Sequence, residues 1–292
     1  MNKIRKIDLH MHTVISDGTD TPEIILKKVK AADIQLFSVT DHDAVKSSSA
    51  FRELLRKGDP FYLTGVEFSC KDEAGRYHIL GYGYRPDAKS MLNLVETSHN
   101  IRMQKVKGRL DILEQEYGFS FPEEEIQKLF SLDNPGKPHI GNLMVKYGYA
   151  ESMNQAICDY LNKLHMRSAY IRPEQAIEAI LAGSGIPVLA HPCFGDGRQY
   201  VRGGDMENRL RRLTGFGLKG VEAFYSGFDA ELRSEMVAFA EQFDLYVTAG
   251  SDYHGTNKTV VLGDTGLDQV TELPERMKRF LEDAGDRMYP RR

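Results

Sequence analysis

Short β-rich segments alternate with helical patterns along most of this 292-residue chain. Alternation of this kind indicates parallel βα units, in which helices cover the faces of a sheet. The chain is longer than most single domains. This length favours one large α/β barrel or a core domain that carries an insertion. The seven predicted strands are Lys3–Leu9, Gln35–Thr40, Phe61–Glu67, Tyr77–Tyr84, Ile186–Ala190, Lys219–Ala223 and Leu245–Ala249.

Helical patterns separate most of these strands. The segment Thr21–Ala32 begins with Thr-Pro, which suits an N-cap followed by the first helical residue. Two further helices are predicted at Pro173–Ala182, which ends at Gly183, and at Ala230–Phe243. These helices are the connections that parallel strands require.

The strand signal disappears between about residues 89 and 170. Turn-forming residues interrupt this stretch at Gly118, at Asn134-Pro135-Gly136 and at Gly148. We therefore predict an all-α insertion at 89–170, within a core made of residues 1–88 and 171–292. Its predicted helices are Met91–Tyr117, Pro122–Phe130, His139–Tyr147 and Met153–Leu164.

Composition excludes several classes of protein. Hydrophobic residues make up 41% of the chain, and no apolar run approaches the ~20 residues that span a bilayer. The N-terminus lacks the apolar stretch of a signal peptide, and the three cysteines form no CxxC motif, so we expect a cytoplasmic protein without a thiolate zinc site. A net charge of −4 argues against binding of long duplex nucleic acid, although local basic clusters remain open.

Side chains that can bind metal ions follow most of the predicted strands. In a parallel barrel, all strand C-termini open on one face, where active sites of such folds are built. Alternate residues of a strand share a face, so the two histidines that end the first strand can ligate the same ion. The candidates are His10, His12, Asp41, His42, Glu67, His78, His191, Asp252 and His254.

Each candidate also has an ordinary interpretation. A lone histidine beside an apolar strand is usually a structural residue, Asp41 and Asp252 could cap helices, and Glu67 could be an ion-pair partner. Together these ordinary interpretations explain the pattern poorly, because they require that most of the nine histidines follow separate strands by chance. Imidazole and carboxylate ligands without thiolate suit borderline divalent ions such as Mn²⁺, Fe²⁺ or Zn²⁺. So many ligands predict two or three divalent ions bridged by a carboxylate.

Six ordered motifs resemble those of the PHP (polymerase and histidinol phosphatase) superfamily of metal-dependent phosphoesterases. The resemblance implies a distorted seven-stranded (β/α) barrel, and the middle of the chain resembles the helical insertion of stand-alone bacterial members. The motifs are HMHTVISDG, SVTDHD, GVEFS, HILGYG, VLAHP and TAGSDYHG.

This resemblance assigns metal-binding roles by position. It implies that Glu67 bridges the first two ions. Many members have histidine where this chain has Asp17, whereas the nucleotide and cyclic-phosphate hydrolases of the group have aspartate, so Asp17 favours that subgroup. Asp41 matches no usual ligand, and we expect it to orient a ligating histidine or to cap a helix. The implied sets are His10, His12, Glu67 and Asp252 for the first ion, Glu67, His78 and His191 for the second, and Asp17, His42 and His254 for the third.

The implied reaction is hydrolysis of a small phosphate ester by a metal-bridging hydroxide that attacks phosphorus. We place Asp252, His191 and His254 in the catalytic machinery. The general acid stays open between a metal-bound water, Asp252 and another residue at the mouth of the barrel. Implied substrates are a nucleotide bisphosphate, a cyclic sugar or nucleotide phosphate, or a short oligonucleotide. A non-catalytic metal-binding module and a C–N bond hydrolase are the alternatives.

Basic residues of the insertion are candidates for substrate binding. Arg102, Lys105 and Arg109 recur at helical spacing, which favours either a basic face at the mouth or a solvated stripe. Relatives have arginines in this helix that bind phosphate or carboxylate groups, and Arg102 matches them best, followed by Arg109. Three further candidate anion contacts are Lys137, which replaces an arginine of the family pattern, His139, which could instead cap a helix, and Lys258, which could instead be solvated.

Overall fold

This computed structural model describes residues 4–166, 169–195 and 199–290, and it shows an α/β fold. The first three strands are very short, and the later ones are longer. Within the described residues the strands are β1 (Ile7–Asp8), β2 (Leu36–Phe37), β3 (Phe61–Tyr62), β4 (Gly65–Asp72), β5 (Gly75–Tyr82), β6 (Ile186–Leu189), β7 (Gly220–Tyr225) and β8 (Tyr246–Gly250).

Helices connect most of these strands, as predicted. The helices are α1 (Pro22–Ala31), α2 (Lys46–Leu54), α3 (Lys89–Tyr117), α4 (Glu123–Phe130), α5 (Lys137–Lys146), α6 (Met153–Gln155), α7 (Pro173–Ala182), α8 (Gly203–Gly215), α9 (Ala230–Gln242) and α10 (Glu275–Asp283). None of the described helices combines the length and the apolar character that crossing a membrane requires.

The strands pair in two sheets. The order β1-β2-β3 forms a parallel sheet, and β4-β5-β6-β7-β8 forms a mixed sheet in which β5 is antiparallel to both neighbours. Only Glu73 and Ala74 separate β4 from β5, and a connection this short permits a hairpin but no crossover helix. The expectation of parallel strands throughout is therefore wrong at β5.

The predicted count of seven strands also differs from the described pairing. The predicted strand Phe61–Glu67 is divided, because Leu63 and Thr64 leave the ladder between β3 and β4. Strand β4 then continues to Asp72, five residues beyond the predicted end. The described residues thus contain eight strands in two sheets.

Local sequence signals account for several helix boundaries. The Thr21 hydroxyl caps α1 by accepting a hydrogen bond from the Ile24 amide, and α7 has the predicted bounds. Helix α3 ends at Gly118, whose φ of 70° is the left-handed conformation that glycine adopts readily. The predicted helix Met153–Leu164 is instead α6 followed by a π-helix at Ala156–Leu161.

The segment from α3 to the π-helix has its own apolar cluster. Its fully buried members include Val106 and Leu113 of α3 and Ile140 and Met144 of α5. A larger cluster fills the space among β4 to β8 and the helices α7 to α10. The helical segment is therefore stabilised largely by its own contacts, and it lies beside the strand ends that carry the candidate site.

Candidate metal centre

Glu67 lies at the centre of the candidate site. It is on β4 and is 1% exposed. Its Oε2 atom lies 3.2 Å from His10 Nε2, from His12 Nε2 and from His42 Nδ1. Three imidazoles from the ends of β1 and β2 therefore surround one carboxylate oxygen.

The second oxygen of Glu67 faces two further histidines. Oε1 lies 2.8 Å from Nδ1 of His78 on β5 and 3.2 Å from Nε2 of His191, which follows β6. One carboxylate thus has histidine neighbours on both of its oxygens, which is the arrangement expected of a bridging ligand.

Two aspartates complete the cluster. Asp252 Oδ1 lies 3.5 Å from Nε2 of both His10 and His12, and 3.4 Å from His254 Nδ1. Asp17 Oδ1 lies 3.4 Å from His254 Nε2. The structure therefore brings together all nine side chains that the sequence predicts as ligands, namely His10, His12, Asp17, His42, Glu67, His78, His191, Asp252 and His254.

The donor atoms in this cluster suit a metal ion. His10 Nε2, His12 Nε2, His42 Nδ1 and Glu67 Oε2 are buried without a hydrogen-bond partner among the described residues, although they lie close to one another. A buried polar atom without a partner costs free energy, so such atoms usually have a role. Three sets of side chains each bring their ligand atoms within 4.8 Å of one another: His12, Asp17, His42 and His254; His10, His12 and Glu67; and His42, Glu67 and His78.

Electrostatics of the cluster also favour cations. Burial raises the pKa of Glu67, but the surrounding histidines outweigh burial and hold its pKa well below the usual value. The pKa values of Asp17 and Asp252 are also well below normal despite burial, because histidines and Lys258 face them. Burial lowers the pKa of His42 to about 3, so this imidazole is neutral. For His10 and His12 the facing carboxylates outweigh burial and raise the pKa, so a metal ion that binds there would displace a proton.

Two of the histidines have a fixed ring orientation. His10 Nδ1 lies 2.9 Å from Glu222 Oε1, and His254 Nδ1 lies 2.9 Å from the Asp252 carbonyl oxygen. Each acceptor favours a proton on Nδ1 and leaves Nε2 available as a ligand. Sequence reasoning missed Glu222, although a single acid inside the apolar strand β7 was a visible signal.

Asp41 anchors the loop that follows β1. It accepts hydrogen bonds from the Thr13 amide and hydroxyl, both at 2.7 Å, and from the Ser16 hydroxyl at 2.8 Å. It caps no described helix and contacts no ligating histidine directly. Its connection to His12 passes through Ser16, whose Oγ is 3.4 Å from His12 Nδ1.

Two candidate ligands have unusual backbone conformations. His191 has a φ of 25° and Asp252 a φ of 60°, a region that costs non-glycine residues roughly 1–3 kcal/mol. Buried carboxylates stabilise both turns: Glu222 accepts a hydrogen bond from the His191 amide at 2.7 Å, and Asp8 accepts one from the Ser251 amide at 2.9 Å. Strain held by buried hydrogen bonds is typical of functional sites.

A basic cavity of about 370 Å³ lies beside the cluster, between β4, β5 and the helical segment. Arg102 forms an ion pair with Asp43, and its Nη2 is 3.4 Å from the Ser69 hydroxyl. Burial and the nearby guanidinium of Arg102 lower the pKa of Lys105 to about 7. The cationic lining residues are Arg76, Arg102, Lys105, Arg109 and Lys137, of which Arg76 was not predicted.

The other predicted substrate contacts already have partners in the protein. Lys137 Nζ donates to Asn162 Oδ1 at 2.7 Å, and His139 Nδ1 accepts from the Gly136 amide at 3.1 Å, which is the capping alternative. Lys258 Nζ donates to Asp252 Oδ2 at 2.6 Å. Lys258 therefore contacts a predicted metal ligand, and it also lines a second cavity of about 410 Å³ on the cluster.

The sequence profile of the PHP domain family matches residues 8–172 of this chain, which is more than half of its length. The chain belongs to the PHP domain family. The predicted superfamily is thereby confirmed. The match includes the ligand candidates from His10 to His78, whereas His191, Asp252 and His254 lie beyond it.

Several bacterial relatives of this PHP chain have named activities. A 5′-3′ exoribonuclease of Haemophilus influenzae is 25% identical over 94% of this chain and 99% of the relative. A phosphoribosyl 1,2-cyclic phosphate 1,2-diphosphodiesterase of Eggerthella lenta is 28% identical over 85% of this chain and 94% of the relative. A 3′,5′-nucleoside bisphosphate phosphatase of Chromobacterium violaceum is 25% identical over 92% of both.

Solved structures share the fold of this PHP chain. An amidohydrolase structure from Chromobacterium violaceum superposes with a TM-score of 0.81 over 97% of both chains at 22% identity. A protein from Bifidobacterium adolescentis superposes with a TM-score of 0.79 over 94% of this chain and 95% of its own, at 24% identity. These likenesses extend over the core and the helical segment together.

Proposed function

We propose that this PHP chain is a metal-dependent phosphoesterase that hydrolyses a small phosphate ester. The observation that carries the proposal is the cluster around Glu67, in which buried imidazole and carboxylate atoms face one another without partners. The basic cavity beside it supports phosphate as the group that is bound. The named relatives all act on phosphate esters.

The cluster holds two or three divalent ions, with Mn²⁺ favoured over Fe²⁺ and Zn²⁺. The ligands are the nine residues predicted from the sequence. The mixed imidazole and carboxylate donors and the bridging position of Glu67 support this assignment. When bound, such ions activate a water molecule and neutralise charge on the phosphoryl oxygens.

Residues of the chain position the reactants. Lys258 and the Tyr225 hydroxyl hold Asp252 Oδ2, at 2.6 and 3.0 Å, which leaves Oδ1 facing the histidines. Asp252, His191 and His254 form the catalytic machinery, because Asp252 and His191 lie where the second cavity meets the cluster and His254 contacts Asp252 from behind. Cations of the basic cavity, with Arg102 and Arg109 as the leading candidates, bind further anionic groups of the substrate.

The substrate is a nucleotide bisphosphate, a cyclic sugar or nucleotide phosphate, or a short oligonucleotide. Cavities of about 370 and 410 Å³ suit ligands of this size.

The basic cavity disfavours the C–N hydrolase alternative, because an amide substrate has no need of several cations. The two cavities at the cluster disfavour a non-catalytic metal-binding module, because a module that only holds metal needs no substrate cavity. We also keep cytoplasmic location as a proposal, supported by three cysteines that form no disulfide.

The two sheets form one distorted barrel with seven strand positions, since β3 continues almost directly into β4. The Leu9 amide donates to the Ala249 carbonyl at 2.8 Å beside β1 and β8, and the Glu67 amide donates to the Asp41 carbonyl at 3.3 Å. The first bond joins the sheet that contains β1 to the sheet that contains β8, and the second joins β4 to the residues after β2. Both bonds therefore support closure of the barrel. Residues 1–88 and 171–292 form this barrel, and residues 89–170 form a substrate-capping helical domain, as its own apolar cluster supports.

The test is phosphate release from a panel of phosphate esters by Mn²⁺-loaded protein. We expect turnover with Mn²⁺, none after rigorous chelation, and a loss of at least about 100-fold for His12→Ala. The matched control is His99→Ala, because this half-buried histidine lies outside the cluster and contacts the Asp133 carbonyl. Full turnover by chelated protein, or an equal loss in both variants, would contradict the proposal.

A further inference from the structure

The second cavity has an aromatic side. It is lined by candidate ligands of the cluster, including His78 and His191, and also by Phe194 and Tyr225. The Tyr225 hydroxyl donates to Asp252 Oδ2 at 3.0 Å, which ties the aromatic side to the edge of the cluster. The aromatic side of the cavity is therefore hydrogen-bonded directly to a side chain of the proposed reaction centre.

The rings form a continuous wall, which comprises Tyr225, Phe194, Phe228 and Tyr200. The rings of Tyr225, Phe194 and Phe228 meet edge to face, with centroids 5.3 to 6.1 Å apart. Tyr200 extends the wall outward, with its ring 6.2 Å from that of Phe194 and inclined by 25°. Phe228 is buried behind the wall, whereas Tyr200 is 65% exposed.

The chain leaves room for this wall at Gly227. A Cβ atom at this position would lie 2.8 Å from Tyr225 Cε1 and 3.2 Å from Phe194 Cε2. A glycine here lets both rings lie against the backbone, which a larger residue would prevent. Rigid aromatic side chains that line a cavity are typical of ligand sites.

The two cavities differ in chemistry. The basic cavity offers guanidinium and ammonium groups, whereas the cavity at Tyr225 offers ring surfaces and, among the described residues that line it, Lys258 as its one ammonium group. The cavities share His42 and His78, so the candidate metal centre lies between them. A ligand that spans both must therefore carry anions on one side of its reacting phosphate and a planar apolar group on the other.

We infer that the aromatic wall is a subsite for a planar ring of the substrate, as in a nucleobase, which stacks there while the phosphate lies at the cluster. The inference rests on the proposed function. It narrows the proposed substrates to nucleotides and short oligonucleotides and disfavours sugar phosphates that carry no base. Stacking on an aromatic side chain is available to every base, so the wall provides affinity without selecting among bases.

The test compares adenosine 3′,5′-bisphosphate with its abasic analogue, 1,4-anhydroribitol 3,5-bisphosphate, on the Mn²⁺-loaded full chain. For Phe194→Leu we expect kcat/KM to fall roughly ten-fold on the adenosine compound and to stay the same on the analogue, because leucine fills the space without a ring face. Phe194→Tyr keeps an aromatic ring and should retain the preference for the adenosine compound over the abasic analogue. Tyr147→Leu is the control, since this tyrosine packs on Phe121 in the helical segment. Equal losses on both compounds, or no loss in Phe194→Leu, would overturn the inference.

A binding measurement separates this inference from the proposed function. Calorimetry should give a dissociation constant for adenosine 5′-monophosphate roughly ten-fold higher in Phe194→Leu than in the unmodified chain, and the same value for ribose 5-phosphate in both. This result would support the subsite even if neither bisphosphate were hydrolysed, in which case only the proposed function would fail. Unchanged affinity for the nucleotide would overturn the subsite even in an active enzyme.

Discussion

At the scale of single residues, buried acids organise the candidate site. Glu67 occupies the middle of the cluster, and Glu222 lies behind it. Glu222 is fully buried and uses one oxygen for His10 Nδ1 and the other for the His191 amide. One carboxylate thus orients two candidate ligands from different strands. Gly250 makes room for it, because a Cβ atom there would lie 2.3 Å from Glu222 Oε1.

Glu222→Gln should weaken Mn²⁺ binding by about 10- to 100-fold, which is typical for loss of a carboxylate behind a ligating histidine. The amide has only one acceptor oxygen, so either His10 Nδ1 or the His191 amide loses its partner. Competition with a chelating indicator measures the affinity, and Glu231→Gln on the exposed face of α9 is the matched control. Unchanged affinity in a folded Glu222→Gln protein would show that Glu222 has only a structural role.

Lys105 is the titrating group of the basic cavity. Burial, together with Arg102, Arg109 and Arg76, lowers its pKa to about 7, although Asp43 opposes this shift. In the unliganded protein its charge is therefore present below about pH 7 and is lost as the pH rises through that value. A bound anion would stabilise the charged form.

Sulfate affinity should consequently fall as the pH rises above about 7, by at most about ten-fold per pH unit for one proton. Sulfate does not titrate in this range, so the change reports on the protein. Lys105→Arg stays charged and should remove most of the pH dependence while retaining affinity. Calorimetry from pH 6 to 9 measures both proteins, and identical pH profiles would exclude Lys105 as the source.

At the scale of elements, β1 and the loop after β8 are held together by a buried carboxylate. Asp8 of β1 accepts hydrogen bonds from the Ser251 amide and hydroxyl at 2.9 and 2.6 Å, and from the Gly263 amide at 2.8 Å. Since His10 follows β1 and Asp252 follows Ser251, these bonds set the distance between two candidate ligands.

Asp8→Ala should lower the free energy of unfolding by about 3 kcal/mol, because the buried amide and hydroxyl of Ser251 and the partly buried Gly263 amide would lose their acceptor. Asp8→Asn retains one acceptor oxygen and should cost less. Urea unfolding followed by circular dichroism measures both, with the exposed Asp268→Ala expected to change stability by less than about 0.5 kcal/mol. A loss below about 1 kcal/mol for Asp8→Ala would contradict this role.

At the scale of the whole molecule, sequence patterns predicted the α/β class because strand and helix periodicities are local. The ligand candidates were recognisable because histidines and acids followed apolar strands. The antiparallel pairing of β5 was not predicted. It follows from the two-residue connection Glu73-Ala74, which is too short for a crossover helix. The contact of Glu222 with His10 joins segments that are 212 residues apart, which no local pattern shows, and the contact of Lys258 with Asp252 depends on how the short loop between them turns.

Convergence of the nine side chains is the central claim at this scale. The strand ends bring residues from 10 to 254 into one buried cluster, and its unpartnered donor atoms are suited to bind cations. Binding of divalent ions would also join the ends of β1, β4, β5 and β8. The account therefore depends on where the ions bind as well as on whether they bind.

The most direct test is anomalous diffraction at the manganese edge from crystals of Mn²⁺-loaded protein. The account predicts one peak beside each oxygen of Glu67 and, if a third ion is bound, a further peak near Asp17 and His254. Peaks elsewhere only, or none in the cluster at saturating Mn²⁺, would contradict it.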